Sequence, residues 1–337
     1  MPIGFGFILS FLLSLFWLVK PANWQELLVF ALTCMSPMVF YALERGNVDV
    51  IMFIMLVGAG VLSGGSLANR IVSYTLMLLA GLLKFYPLIV LGTALRERPR
   101  IFFMITAAVG LIIVGFFYRF RAELAAASRN IPRVGWGSVN LPFEGPRYAL
   151  RLFPGIEHFA WFTALPYALL GVLLIATAIQ MIRLARNGNL VSAFAKMPKQ
   201  DAMFLVIGAG LIVGCFFAGR NIAYRGIHLI FVVAGLVAMR RAADNPATRA
   251  MLTRTVMIVV LLIWEAFIRQ ALPGEVQGRG LALFASALFR LIRELFWWRL
   301  VAILLAMLVI FGVKSEVFAA FRQWRGLHRG RKFIRRA

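Results

Sequence analysis

The chain has 337 residues, 62% of them apolar and only 15% charged, with a formal net charge of +23 from 36 Lys and Arg against 13 Asp and Glu. Soluble domains carry roughly 45–50% apolar residues, and their helices keep a polar face. Here Ile101–Tyr118 and Phe159–Ile182 are apolar nearly all round, which excludes an ordinary soluble fold. The cations fall between apolar runs without interleaved aromatic residues, which argues against nucleic acid and for anionic lipid headgroups.

Roughly 20 apolar residues cross the core of a bilayer. The sequence predicts an all-α, polytopic transmembrane helical bundle of about ten spans: 3–19, 25–43, 48–63, 71–95, 101–118, 159–182, 203–218, 226–239, 255–272 and 295–313. Met1–Lys20 has neither a basic start nor a small-residue cleavage site before Pro21, so it reads as a span, not as a signal peptide. The bundle occupies 1–313, with an outer loop at 119–158 whose Pro132, Gly135, Gly137, Pro142, Gly145, Pro146, Pro154 and Gly155 impose an irregular course. Residues 278–294 have the pattern of an amphipathic helix lying on that outer surface. A basic tail, 314–337, follows.

Four basic clusters set the expected orientation: Arg96, Arg98 and Arg100; Arg183, Arg186, Lys196 and Lys199; Arg240, Arg241, Arg249 and Arg254; and the tail from Lys314. With these spans all four share one side, the cytoplasmic side of the plasma membrane, and both termini are expected there. Cys34 and Cys215 lie within apolar runs and imply no disulfide framework. His158, His228 and His328 are isolated, so neither a metal site nor a cofactor is expected.

Polar groups inside apolar spans are costly and therefore informative. Lys84 stands mid-span in Gly81-Leu82-Leu83-Lys84-Phe85-Tyr86-Pro87. Pro87 lacks an N–H and its ring opposes the Leu83 carbonyl, so the helix is expected to break beside Lys84. An ammonium next to a broken helix suits a phosphate; pairing with a buried carboxylate is the structural alternative. In Glu44-Arg45-Gly46-Asn47-Val48-Asp49, Gly46 permits a turn and Asn47 or Asp49 suits a helix cap. Arg220, Asn221, Tyr224 and Arg225 form a polar group on the expected outer side, with two guanidiniums whose forks match phosphate oxygens. Glu265 and Arg269, four apart, fit an internal ion pair, and Gly208, Gly210 and Gly214 fit close helix contact.

Two of these motifs carry a resemblance. Gly46-Asn47-Val48-Asp49, an apolar span, and then Leu83-Lys84-Phe85-Tyr86-Pro87 resemble, in order and spacing, the membrane glycosyltransferases of family 87. Tyr224-Arg225-Gly226 is similar to a Tyr-Arg element late in such chains. The stronger likeness covers about 42–100. It implies a GT-C-like fold and a hexosyltransferase, often a mannosyltransferase, that takes sugar from a polyprenyl-phosphate donor to an extracytoplasmic glycolipid or glycan acceptor. It further implies Lys84, Arg225 and Arg220 on the donor phosphate, Tyr86, Tyr224 and Asn221 orienting donor or acceptor, and Asn47 at the substrate. Asp49 is the acid within a family motif, yet the expected topology places it on the cytoplasmic side. Family members carry a catalytic carboxylate in the loop after their first span, whereas this chain aligns from about their third span and its first acid is Glu26. An upstream segment of roughly 70–110 residues, two spans and an acid-bearing loop, is therefore expected. A transporter or flippase of an anionic lipid or solute, and an inactive remnant, are the alternatives.

Overall fold

The structure is a computed structural model that describes residues 2–130, 164–217, 223–271 and 281–323; every element among them is helical. In chain order the helices are α1 (Pro2–Leu18), α2 (Trp24–Cys34), α3 (Pro37–Glu44), α4 (Val48–Leu62) and α5 (Leu67–Leu83). A 3₁₀ arm, Tyr86–Arg96, follows, then α6 (Pro99–Arg119), α7 (Arg121–Arg129), α8 (Leu165–Ala185), α9 (Gly188–Lys196) and α10 (Lys199–Phe217). A 3₁₀ turn, Ala223–His228, leads into α11 (Leu229–Ala242), α12 (Pro246–Ile263), α13 (Glu265–Ala271) and α14 (Leu281–Val313).

Five of these helices are long and apolar enough to cross a membrane, or up to six if the bent pair α2–α3 counts as one span. The about ten expected spans are not all matched by such helices. α1, α4, α5 and the 3₁₀ arm are apolar but shorter, and α11 has 14 residues. α10 and α11 form the centre: Leu229 to Met239 are all buried. A Cβ on Gly208 would lie 2.6 Å from that of Phe231, and one on Gly235 would lie 2.8 Å from the Leu205 Cα, so these two backbones touch only because both positions lack a side chain. By contrast α6 buries no residue among the described ones.

Two breaks shape the bundle. Pro37 has no N–H to continue α2, and the chain bends by 43° there. The Ser36 N–H turns to the Thr33 carbonyl, and the Trp264 indole donates to the freed Leu32 carbonyl at 2.8 Å. The second break is the one expected at Lys84, whose backbone is extended (φ −148°, ψ 132°). Past it the chain does not continue across the bundle. The 3₁₀ arm folds back along α5, so that Arg96 donates to the Ser63 carbonyl, and Arg70 and Tyr74 on α5 each reach Glu97 at 2.9 Å. A Cβ on Gly81 would sit 2.3 Å from Leu88 Cδ2, so the hairpin's bend needs a glycine there. The expected single span 71–95 is instead a hairpin of α5 and the 3₁₀ arm.

That hairpin changes the parity of everything before it. At one end of the bundle, called here the tail end, Arg241 meets Glu26 and the Lys20 carbonyl, Lys20 stands 3.9 Å from Asp201, and Lys314 donates to the Val191 carbonyl. At the other end Asp49 meets Tyr86 and His228. The start of α1 lies there too, where Gly4, Phe7 and Ile8 border a cavity with Leu43, Gly46 and Asn47. The turn 44–49 and the 223–228 segment, expected on opposite sides, therefore share one end. The start of α1 and the tail, expected together, lie at opposite ends. One smaller expectation is also corrected, and another falls partly outside the described residues. Residues 281–294 are not a separate surface helix but the first half of α14. Glu265 pairs with Arg293 at 2.8 Å, 28 residues away on α14; the Arg269 side chain lies outside the described residues.

Candidate functional site

The end opposite the tail gathers three stretches that are far apart in sequence. Asn47 caps α4, its side-chain oxygen accepting from the Asp49 N–H at 3.1 Å, and this fixes the Asp49 carboxylate at the helix start. The extended residue at the hairpin tip aims Lys84 back at that turn. Its Nζ donates to Asp49 Oδ2, and to Asn47 Oδ1 at 3.2 Å. The 3₁₀ turn before α11 supplies Tyr224, Arg225 and His228. Gly226 makes its approach possible, since a Cβ there would lie 2.2 Å from Met38 Sδ.

Asp49 is fully buried and Lys84 about one-fifth exposed. Tyr86 donates its hydroxyl proton to Asp49 Oδ1. Having a single proton, that hydroxyl accepts from His228 Nε2 at 2.7 Å. In that arrangement His228 carries a proton on Nε2, and its buried Nδ1 has no hydrogen-bond partner among the described residues. Imidazole Nε2 also stands 3.7 Å from Asp49 Oδ1, so Asp49 is the hub of the cluster.

Two cations flank the hub, each resting on a ring. Lys84 Nζ lies 4.8 Å from the Tyr224 ring centre, and the Arg225 guanidinium lies 4.9 Å from that of Tyr86. Tyr224 stacks on Tyr41 at 6.3 Å, and Arg45 covers the far face of that pair at 4.5 Å from Tyr41. Lys84 is thus paired with a buried carboxylate, as the structural alternative had it, but Arg225 is not. Among the described residues its buried Nε has no hydrogen-bond partner and no carboxylate lies within ion-pair distance. One carboxylate faces two half-buried cations. An uncompensated charge held away from water is costly, and an anion would relieve it.

No family model, characterised protein or solved structure matches the chain. The site's meaning therefore rests on its own chemistry. Of the residues singled out from sequence, Asn47, Asp49, Lys84, Tyr86, Tyr224 and Arg225 are brought together; Arg220 and Asn221 lie outside the described residues. Sequence reasoning passed over His228 and Tyr41. The first carried a usable signal: Tyr224 and His228 are four apart, the spacing that puts two side chains on one helical face. Tyr41 carried none beyond its place three residues before the turn.

Proposed function

We propose that the chain is a GT-C-like membrane glycosyltransferase that moves a hexosyl, most readily a mannosyl, group from a polyprenyl-phosphate donor to an extracytoplasmic glycolipid or glycan acceptor. The observation that carries this reading is the convergence, at one end of the bundle, of Lys84, Arg225 and the Asn47–Asp49 turn. These are the elements on which the family resemblance rests, and they form a cation-rich cluster in which no described carboxylate pairs with Arg225. The positive-inside rule assigns the tail end, with its basic clusters, to the cytoplasm. The site then lies on the extracytoplasmic side, which removes the objection that Asp49 is on the wrong face.

In such a transfer the acceptor oxygen bonds to the anomeric carbon as the bond to the lipid phosphate breaks. The bonding pair leaves on the phosphate oxygen and a base takes the hydroxyl proton. Lys84 and Arg225 stabilise the charge growing on the departing phosphate, and Tyr86 and Tyr224 border it. Asp49, fully buried, holds Lys84 and Tyr86 in place and does not itself meet an acceptor hydroxyl; the base is assigned to no described residue. When a phosphate draws Lys84 away, Asp49 keeps Tyr86, and through it His228.

A second reading is favoured by the hairpin. A hairpin with a broken, non-helical tip and a cation on it also suits a carrier of anionic lipids or solutes. Membranes containing the chain, supplied with labelled polyprenyl-phosphate mannose, separate the two. Labelled acceptor that disappears with Lys84→Met supports the transferase. Movement of labelled polyprenyl phosphate across proteoliposomes without sugar transfer overturns it in favour of the carrier.

A further inference from the structure

A second set of cations stands on the outer flank of the bundle, away from the site. Arg299 stands in the membrane-length segment Leu288–Val313 of α14, directly before its uninterrupted apolar run Leu300–Val313. Charged residues at such positions normally face the bundle interior. Arg299 is exposed on the outer surface. Its contact is across to α8. With the Gln180 amide oxygen turned toward the guanidinium, Arg299 Nε donates to it at 3.3 Å and Nη1 donates as well. Arg183, one turn further along α8, is exposed on the same flank. Gln180, Arg183 and Arg299 line a groove of about 600 Å³ whose remaining lining is Ala176, Ile179 and Leu184. No carboxylate lines it, and none among the described residues lies within ion-pair distance of either arginine.

We infer that this α8–α14 groove binds the phosphate of an anionic phospholipid. The guanidinium forks of Arg299 and Arg183 grip the phosphate oxygens, Gln180 holds Arg299 in position, and an acyl chain lies on Ala176, Ile179 and Leu184. Two exposed cations beside an apolar strip match an anionic headgroup with its chain. A second copy of this protein is a poorer fit, because the outward-facing helices α6 and α8 carry no Asp or Glu to offer. The inference does not depend on the proposed transfer reaction, since the groove shares no residue with the site.

Native mass spectrometry of the full chain, released from nanodiscs holding equal phosphatidylglycerol and phosphatidylcholine, tests this. The expected result is a retained phosphatidylglycerol adduct that falls at least about tenfold in Arg183→Gln/Arg299→Gln, the loss of charge-assisted hydrogen bonds. The adduct should be unaffected by millimolar inorganic phosphate. Removing an exposed charge from an apolar span should not impair folding, and the melting temperature of the double variant, measured in parallel, is expected to hold or rise. Equal retention of both lipids, an unchanged adduct in the variant, displacement by inorganic phosphate, or a dimer lost with Arg299→Gln would each overturn the inference.

Discussion

Both ends of the bundle hold carboxylate–cation clusters, and they are built differently. At the tail end Glu26 accepts from Arg240 at 2.8 Å, from both Nε and Nη2 of Arg241, and from the Ala22 N–H at 2.7 Å. Arg241 also donates to the Lys20 carbonyl at 2.6 Å. Glu97 is likewise shared by Arg70 and Tyr74, and Arg96 spends its guanidinium on the Ser63 carbonyl. There, Arg96 and Arg241 add carbonyls to their carboxylate partners, and Arg96, Arg240 and Arg241 remain 23%, 24% and 37% exposed. At the opposite end Asp49 is saturated, but among the described residues Arg225 meets the face of a ring and its buried Nε has no acceptor. Clusters of the first kind fasten α1, α2 and α11, or close the hairpin. The second is incomplete in the way a binding site is.

Lys84→Met is expected to have the largest effect. It leaves Asp49 charged and buried, costing about 3 kcal/mol in stability, and on the proposed function it abolishes binding of a polyprenyl-phosphate donor. The double variant Lys84→Met/Asp49→Asn should recover most of the melting temperature without recovering binding. Recovery of both would make the pair a fastening like those at the tail end. Glu26→Gln comes next. It strands two arginines, and the loss, on the order of 2 kcal/mol because Arg241 is partly in water, should show in thermal unfolding while donor binding persists. Binding lost in proportion to stability would erase the distinction between the two ends.

Arg225→Gln sharpens the comparison from the other side. Donor binding is expected to weaken about tenfold or more, as for a lost charge-assisted hydrogen bond, with the melting temperature unchanged or higher. A lower melting temperature with intact binding would mean that Arg225 already has its partner. The smallest effect belongs to Trp264→Phe. It leaves the Leu32 carbonyl at the α2–α3 bend without a donor and should lower stability by about 1–2 kcal/mol, with donor binding unaltered.

Much of this was legible in the sequence, for local reasons. The break at Lys84 follows from Pro87, the cap at Asn47 from its side chain, and the contact at Gly208 from its lack of one. The return of the chain after the break was not legible. A proline says that a helix stops; whether the next segment continues or folds back depends on the Glu97 contacts to Arg70 and Tyr74, more than twenty residues away. Missing that one turn reversed the relative placement of every earlier element and kept Asp49 apart from Arg225 on paper. The Arg293 partner of Glu265 was hidden for the same reason: it stands on another helix, 28 residues away. His228 looked isolated because its partners, Tyr86 and Asp49, lie more than 140 residues upstream.

Labelling of two single cysteines tests the central claim, that the turn 44–49 shares the bundle end of the 223–228 segment and faces away from the cytoplasm. With Cys34 and Cys215 replaced by alanine, Arg45→Cys and Arg100→Cys are both exposed positions. The hairpin topology predicts that a membrane-impermeant maleimide reaches position 45 in intact cells and position 100 only after permeabilisation. Equal protection of both positions in intact cells, the outcome of a chain that crosses straight through 71–95, would contradict it.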